Sequence, residues 1–161
     1  MPVEIVYGLW VGNKKDAFDI AFLKNRNINI IINVTTEVPF IEADDEKLSV
    51  ETIRIPVSDN FKNGDDYIKW NNELFNHFEQ ITNYMEKNLS KQKNILVHCN
   101  QGKYRSTAII IAYLMKKLNK FSLEEIYAIF TSKYFIKNLD RHLFKNSLLE
   151  FDKKRKILFS F

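Results

Sequence analysis

Apolar residues recur along this chain in two different rhythms. Between positions 67 and 89, Trp70, Leu74, Phe78, Ile81, Met85 and Leu89 follow one another at spacings of four, four, three, four and four. That repeat gathers them on one face of a long helix. Residues 28–34 (I-N-I-I-I-N-V) are instead β-branched and mostly apolar, as a buried strand should be. Residues 50–57 alternate imperfectly and end at Pro56-Val57, predicting a strand that leads into a loop. The run Asn94-Ile95-Leu96-Val97 predicts a further short strand, and two apolar runs around Gly8, within residues 3–11, predict edge strands.

Residues 16–26 set Phe18, Ile20, Phe22 and Leu23 among charges, predicting a helix opened by an Asp cap. Residues 106–117 are apolar nearly all round and predict a helix in the middle of the domain. Ser122 followed three residues later by Glu125 reads as a capping box opening a helix through Thr131. Residues 141–158 supply the last helix, and Asp65 and Asp66 read as N-terminal caps of the long one. Strands interleave with helices over the first two-thirds and helices dominate the end. The predicted fold class is α/β, with a central, mostly parallel sheet of about four to five strands flanked by helices. No repeat, linker or low-complexity tract interrupts the 161 residues, so the expected organisation is one domain over 1–161.

Composition narrows the picture. The 45% hydrophobic and 14% aromatic content fits an ordered globular protein. Lys plus Arg number 24 against 20 for Asp plus Glu, an excess that favours an anionic substrate but is too weak to imply nucleic-acid binding. The basic run Lys153-Lys154-Arg155-Lys156 reads as the solvated last turns of a helix. The single cysteine excludes an internal disulfide framework and a cysteine-rich zinc site. His77 and His142 lack metal-ligand spacing and read as surface or packing residues. No secretory signal and no apolar stretch near the ~18 residues of a membrane span is visible, so a cytoplasmic or otherwise intracellular location is expected.

The chemistry concentrates in His98-Cys99-Asn100-Gln101-Gly102-Lys103-Tyr104-Arg105-Ser106, between a buried strand and the central helix. A loop wrapped at a helix N-terminus turns successive backbone N–H groups inward and forms a nest for a tetrahedral dianion. Gly102 permits a conformation that a Cβ would disfavour, and Arg105 offers a planar fork to two phosphoryl oxygens. A free thiol titrates near ~8.5, and helix N-termini and nearby cations bring it to about 3.5–7.5, so Cys99 is expected to be a thiolate nucleophile. His98 is expected to orient the loop from the strand side, and Ser106 to hydrogen-bond the sulfur.

The segment from Ile95 through Arg105-Ser106, continued by Ile111-Ala112-Tyr113-Leu114-Met115, resembles the dual-specificity branch of the protein tyrosine phosphatases. Val6-Tyr7-Gly8-Leu9-Trp10-Val11-Gly12-Asn13 is similar to that family's opening strand, Ile30-Ile31-Ile32-Asn33-Val34-Thr35 to its next strand, and Ile55-Pro56-Val57-Ser58-Asp59 to its acid-loop approach. The resemblance implies a compact α/β fold, no metal or other cofactor, and hydrolysis of phosphoproteins in two steps through a phosphocysteine. It implies catalytic roles for Cys99, Arg105, Asp59, Ser106 and His98, with Asp59 as general acid and then base. It implies phosphate binding by Asn100, Gln101, Gly102, Lys103, Tyr104 and Arg105.

The loop departs from many members of that branch in its polar Gln101, Lys103 and Tyr104. Cys-Asn-x-Gly-Lys-x-Arg is similar to atypical members that hydrolyse inositol pyrophosphates, and a Lys after the Gly also resembles phosphoinositide phosphatases. A Lys103 pointing into the pocket would favour polyphosphorylated small molecules. Alternative readings are a phosphatase of inositol phosphates, phosphoinositides or RNA 5′-triphosphate, and a non-catalytic phosphate-binding pseudophosphatase. Lys24-Asn25-Arg26-Asn27 lacks the Tyr of a similar pocket-deepening element and reads as a polar helix end, which leaves a shallow pocket open to phosphoserine and phosphothreonine as well as phosphotyrosine. With no second cysteine, an oxidised Cys99 would need a sulfenamide or an external thiol for rescue. Richness in Ile, Asn, Lys and Phe is typical of AT-rich genomes, and large DNA viruses carry compact members of this family, so a viral source is one expectation.

Overall fold

A computed structural model describes residues 1–42 and 48–159. Five strands, β1 (Val3–Val6), β2 (Leu9–Gly12), β3 (Ile28–Asn33), β4 (Glu51–Arg54) and β5 (Asn94–His98), form one sheet in the order β1-β2-β5-β3-β4. β1 pairs antiparallel to β2, and every other pairing is parallel. The sequence expected edge strands on both sides of Gly8; β1 is one, but β2 lies inside the sheet, between β1 and β5. The other edge is β4.

Alternation along the strands decides what each face covers. Leu9, Val11, Ile30, Ile32, Ile95 and Val97 enter the main core. Trp10, Ile28, Ile31 and Leu96 face the smaller opposite layer with Ala17 and Leu23. Over the main face lie α3 (Gly64–Ser90), α4 (Arg105–Lys117), α5 (Leu123–Lys133) and α6 (Lys145–Phe159). Leu74, Phe78, Ile81 and Met85 of the predicted stripe are buried, with Trp70 and Leu89 partly buried at its ends. In α4 every residue from Arg105 to Met115 is buried, as its all-apolar character predicted.

Three local expectations are corrected. The helix expected over 16–26 is two short ones, α1 (Lys14–Ala17) and α2 (Ile20–Asn25), each with its own cap. Asn13 and Asp16 make a reciprocal capping box at the first, and Asp19 caps the second, so the competing caps break the helix at Phe18-Asp19. At α3 the cap is Asn63, while Asp65 and Asp66 occupy the first turn. The last helix starts at Lys145 rather than 141, because Leu139–Arg141 form a short 3-10 turn and His142 stays extended.

The basic run on α6 is not uniformly solvated. Arg155 is buried, donating to Asp152 Oδ1 at 2.8 Å and to the carbonyls of Met115 at 2.9 Å and Phe121 at 2.7 Å. It therefore satisfies carbonyls where α4 ends and the chain turns toward α5. Removing it takes a donor away from each of these acceptors, two of them main-chain carbonyls. Arg155→Ala is expected to cost at least ~2 kcal/mol in urea denaturation, whereas Ala at the neighbouring exposed Lys153 should stay within about 0.5 kcal/mol.

Candidate active site

Cys99 follows β5, the middle strand, at the carboxyl edge of the sheet, and the chain then loops into α4 at Arg105. That edge is where an open parallel sheet offers its crevice. The loop is held from outside through its carbonyl oxygens. His98 Nδ1 bonds Cys99 O at 3.0 Å, the Lys14 amide donates to Asn100 O at 3.1 Å, and Tyr134 Oη donates to Gly102 O at 2.6 Å. Thr107 Oγ1 donates to Lys103 O at 2.6 Å, and the Ala108 amide to Tyr104 O at 3.0 Å. In a trans peptide the N–H points opposite to the preceding carbonyl. Each tether therefore turns the next amide away from it, and the amides of Asn100, Gln101, Lys103 and Tyr104 donate to no described residue. His98 is almost fully buried, and burial keeps its pKa below the ordinary value, so the ring is neutral. Because a carbonyl only accepts, Nδ1 carries its proton.

Gly102 is required twice over. Its φ of +72° lies in the left-handed region, and a Cβ there would stand 2.8 Å from Tyr134 Oη and 2.9 Å from Gly12 O. Cys99 is buried, with Sγ 3.3 Å from Ser106 Oγ in the first turn of α4.

The Arg105 side chain is fully buried. Nη1 donates to Glu37 Oε1 at 2.9 Å and to Val57 O at 2.8 Å, and Nη2 donates to Glu37 Oε2 at 2.9 Å. Three of the five guanidinium N–H groups are thus engaged. Nε is buried and has no partner among the described residues, and the second Nη2 hydrogen shares its edge. One side of the fork is left open to two acceptor oxygens. Asp59 Oδ2 lies 3.3 Å from Nη2, on the loop that follows β4.

Residues 9–154 match the family described as dual specificity phosphatase, catalytic domain. The chain belongs to this family. It is similar to human dual specificity protein phosphatase 6, 32% identical over 94% of this chain, and to human dual specificity protein phosphatase 9, 29% identical over 97%. It spans only 36% and 37% of the length of those two relatives. Its fold is similar to that of a point variant of human DUSP28, with a TM-score of 0.79 at 22% identity over 98% of this chain and 97% of that one. A mouse putative dual specificity phosphatase complexed with zinc tungstate gives 0.78 at 23% identity over 98% and 89%.

In this phosphatase-family chain, Cys99 touches Ser106 and His98, and Arg105 lies beside Asp59. The side chains of Gln101 and Lys103 are exposed, and those of Asn100 and Tyr104 are half-buried. Sequence reasoning missed Glu37. Its loop is built from the Asn33-Val34-Thr35 segment. Asn33 Nδ2 donates to Val38 O at 2.8 Å, Thr35 Oγ1 donates to Asn33 Oδ1 at 2.6 Å, and Arg54 braces the carbonyls of Thr35 and Val38. The signal was present in a polar Asn-x-Thr at the end of an apolar strand, but only as a strand terminus. Tyr134 and His142 were also missed as neighbours of the loop. Among the described residues no three His, Cys, Asp or Glu gather as a cation site would require. A depression of about 640 Å³ between α3 and α6, lined by Asn71, Phe75, Leu149 and Glu150, lies away from Cys99.

The hydrogen bonds from Arg105 hold the Glu37 carboxyl at about 2, down from 4.5. A depressed carboxylate contributes stability above its ordinary range and loses it as pH falls toward the folded value. Between pH 4.5 and 2 the wild type is expected to lose more stability than Glu37→Gln, as read by chemical denaturation at stepped pH. Gly102→Ala is expected to cost about 1–2 kcal/mol from left-handed backbone alone, and to raise KM for an aryl phosphate as Tyr134 and Gly12 are pushed aside.

Proposed function

We propose that this chain is a single catalytic domain that hydrolyses phosphomonoesters on proteins through a phosphocysteine. The observation that carries the reading is the open edge of the buried Arg105 guanidinium, which ends a loop whose amides are turned away from tethered carbonyls. Fully buried cations are retained when charges or strong acceptors satisfy them, and this one keeps two donors in fork geometry for a dianion.

In the proposed reaction the Cys99 thiolate attacks phosphorus in line with the ester oxygen. The loop amides and the Nε and Nη2 hydrogens of Arg105 take the three non-bridging oxygens, where charge is concentrated in the transition state. As the P–O bond breaks, protonated Asp59 gives its proton to the departing alkoxide or phenoxide. Asp59, now a carboxylate, accepts a proton from water as that water attacks the phosphocysteine. The S–P bond then breaks, and the Ser106 hydroxyl stabilises the returning thiolate. His98 acts through the Cys99 carbonyl, fixing where the loop begins.

Phosphorylated proteins are the proposed substrate class, in line with the names of the relatives. The Lys103 side chain is exposed at the rim of the loop, and the 640 Å³ depression is lined by no residue of the Cys99–Arg105 loop. Purified wild type should therefore turn over phosphotyrosine and phosphothreonine peptides and an aryl phosphate better than inositol polyphosphates or phosphoinositides. Cys99→Ser should abolish turnover, and Asp59→Asn should lower kcat by about 10²–10⁴-fold. Arg105→Lys should lose both affinity and rate, because an ammonium cannot reproduce the fork. A wild type that retains phosphopeptides without hydrolysing them would make the loop a binding nest instead. Preference for the inositol compounds would move the substrate class.

A further inference from the structure

The connection between α5 and α6, residues 134–144, packs two side chains against the phosphate loop. At its start, Tyr134 Oη donates to Gly102 O at 2.6 Å. Near its end lies His142, which is 3% exposed and packs nearly perpendicular to the rings of Tyr104 and Tyr127, with ring centroids 5.2 and 6.2 Å away. Both imidazole nitrogens are engaged. The Phe144 amide donates to Nδ1 at 3.0 Å, so that nitrogen holds a lone pair. Nε2 must then carry the proton, and it lies 2.9 Å from Thr107 Oγ1. Having accepted there, the Thr107 hydroxyl directs its own hydrogen to Lys103 O at 2.6 Å, with Tyr104 O at 3.1 Å. The chain Phe144 amide, His142, Thr107, Lys103 carbonyl therefore runs in one direction.

Burial pushes His142 down to about 3, so the ring stays neutral and the direction of the chain is fixed at ordinary pH. Burial, followed by the neighbouring Cys99 and Asp16 charges, pushes Tyr134 up to about 12, so its hydroxyl remains a donor. Because a peptide unit is planar, pinning Gly102 O sets the direction of the Lys103 N–H, and pinning Lys103 O sets that of the Tyr104 N–H.

We infer that Tyr134 and the His142–Thr107 pair are positioning residues, a clamp from the α5–α6 connection that aims the Lys103 and Tyr104 amides at the phosphoryl oxygens. The inference rests on the phosphatase reading above. Apolar side chains of the same volume would fill the space but would leave the Gly102 and Lys103 carbonyls without these donors and free to rotate. A clamp needs donors aimed at those two carbonyls.

Two nearly isosteric changes test it separately, Tyr134→Phe and Thr107→Val, each deleting one hydroxyl. Tungstate serves as the oxyanion probe, titrated calorimetrically against each full-length variant alongside KM and kcat for an aryl phosphate, the melting temperature, and the amide shifts of Lys103 and Tyr104. Each variant is expected to bind tungstate about five- to tenfold more weakly, the equivalent of one hydrogen bond, with KM rising in step. Tyr134→Phe should move chiefly the Lys103 amide, and Thr107→Val chiefly the Tyr104 amide. Thr107→Ser, which restores the hydroxyl, should recover most of the affinity lost in Thr107→Val. Variants that melt earlier yet keep tungstate affinity and KM within twofold would show the contacts to be packing and overturn the inference. A wild type that neither binds tungstate nor turns over an ester would remove the phosphatase reading and this inference with it.

Discussion

A permanently charged guanidinium with no exposed surface dictates much of this architecture. Arg105 cannot shed its proton, and an unpaired ion at that depth would cost several kcal/mol. The fold answers with two hydrogen-bond acceptors from separate parts of the chain, Glu37 after β3 and Val57 after β4, and with the Asp59 carboxylate 3.3 Å away. Each is held in turn. Glu37 sits on a loop shaped by Asn33, Thr35 and Arg54, and Val57 follows a strand end tied through the Ile55 amide to Asn33 O. The engagement is incomplete on one edge only. The proposed phosphate-binding role of Arg105 rests on that asymmetry.

The loop before Arg105 follows the same logic with the signs reversed. The carbonyls of Cys99, Asn100, Gly102, Lys103 and Tyr104 are bonded by protein, and the amides of Asn100, Gln101, Lys103 and Tyr104 have no partner among the described residues. The tethers come from α1 through the Lys14 amide, from β5 through His98, from α4 through Thr107 and Ala108, and from the α5–α6 connection through Tyr134. A nest formed by backbone alone would depend on loop conformation, which is soft. Here the conformation is imposed by neighbours that the sheet order brings to one edge. The Gly102 conformation fits the same design, because any Cβ would strike Tyr134 and the Gly12 backbone.

The family assignment and the fold likeness agree with this geometry but do not supply it. Solved relatives near 22–23% identity establish the architecture, whereas the polar Gln101-Gly102-Lys103-Tyr104 stretch belongs to this chain. The Lys103 side chain is exposed, while the Lys103 carbonyl is held by the Thr107 hydroxyl. Rim charge and cage geometry are therefore set by different atoms of one residue, and a change of side chain there need not disturb the cage.

The sequence by itself determined what depends on short-range periodicity and spacing. The apolar stripe of α3, the buried character of α4, the Ser122–Glu125 cap and the loop from Cys99 to Arg105 were legible because their partners lie within one or two turns of chain. It misread residues 16–26, where two caps compete over a few positions, and the Arg155 side chain, whose acceptors are brought to it by folding. Only the tertiary structure decided what holds the site. Glu37 reaches Arg105 across 68 positions, Tyr134 reaches Gly102 across 32, and His142 reaches Thr107 across 35. No local pattern marks such pairs, because each residue is ordinary where it stands in the chain. Their roles come from buried donors and acceptors that must find partners once the sheet and helices exclude water.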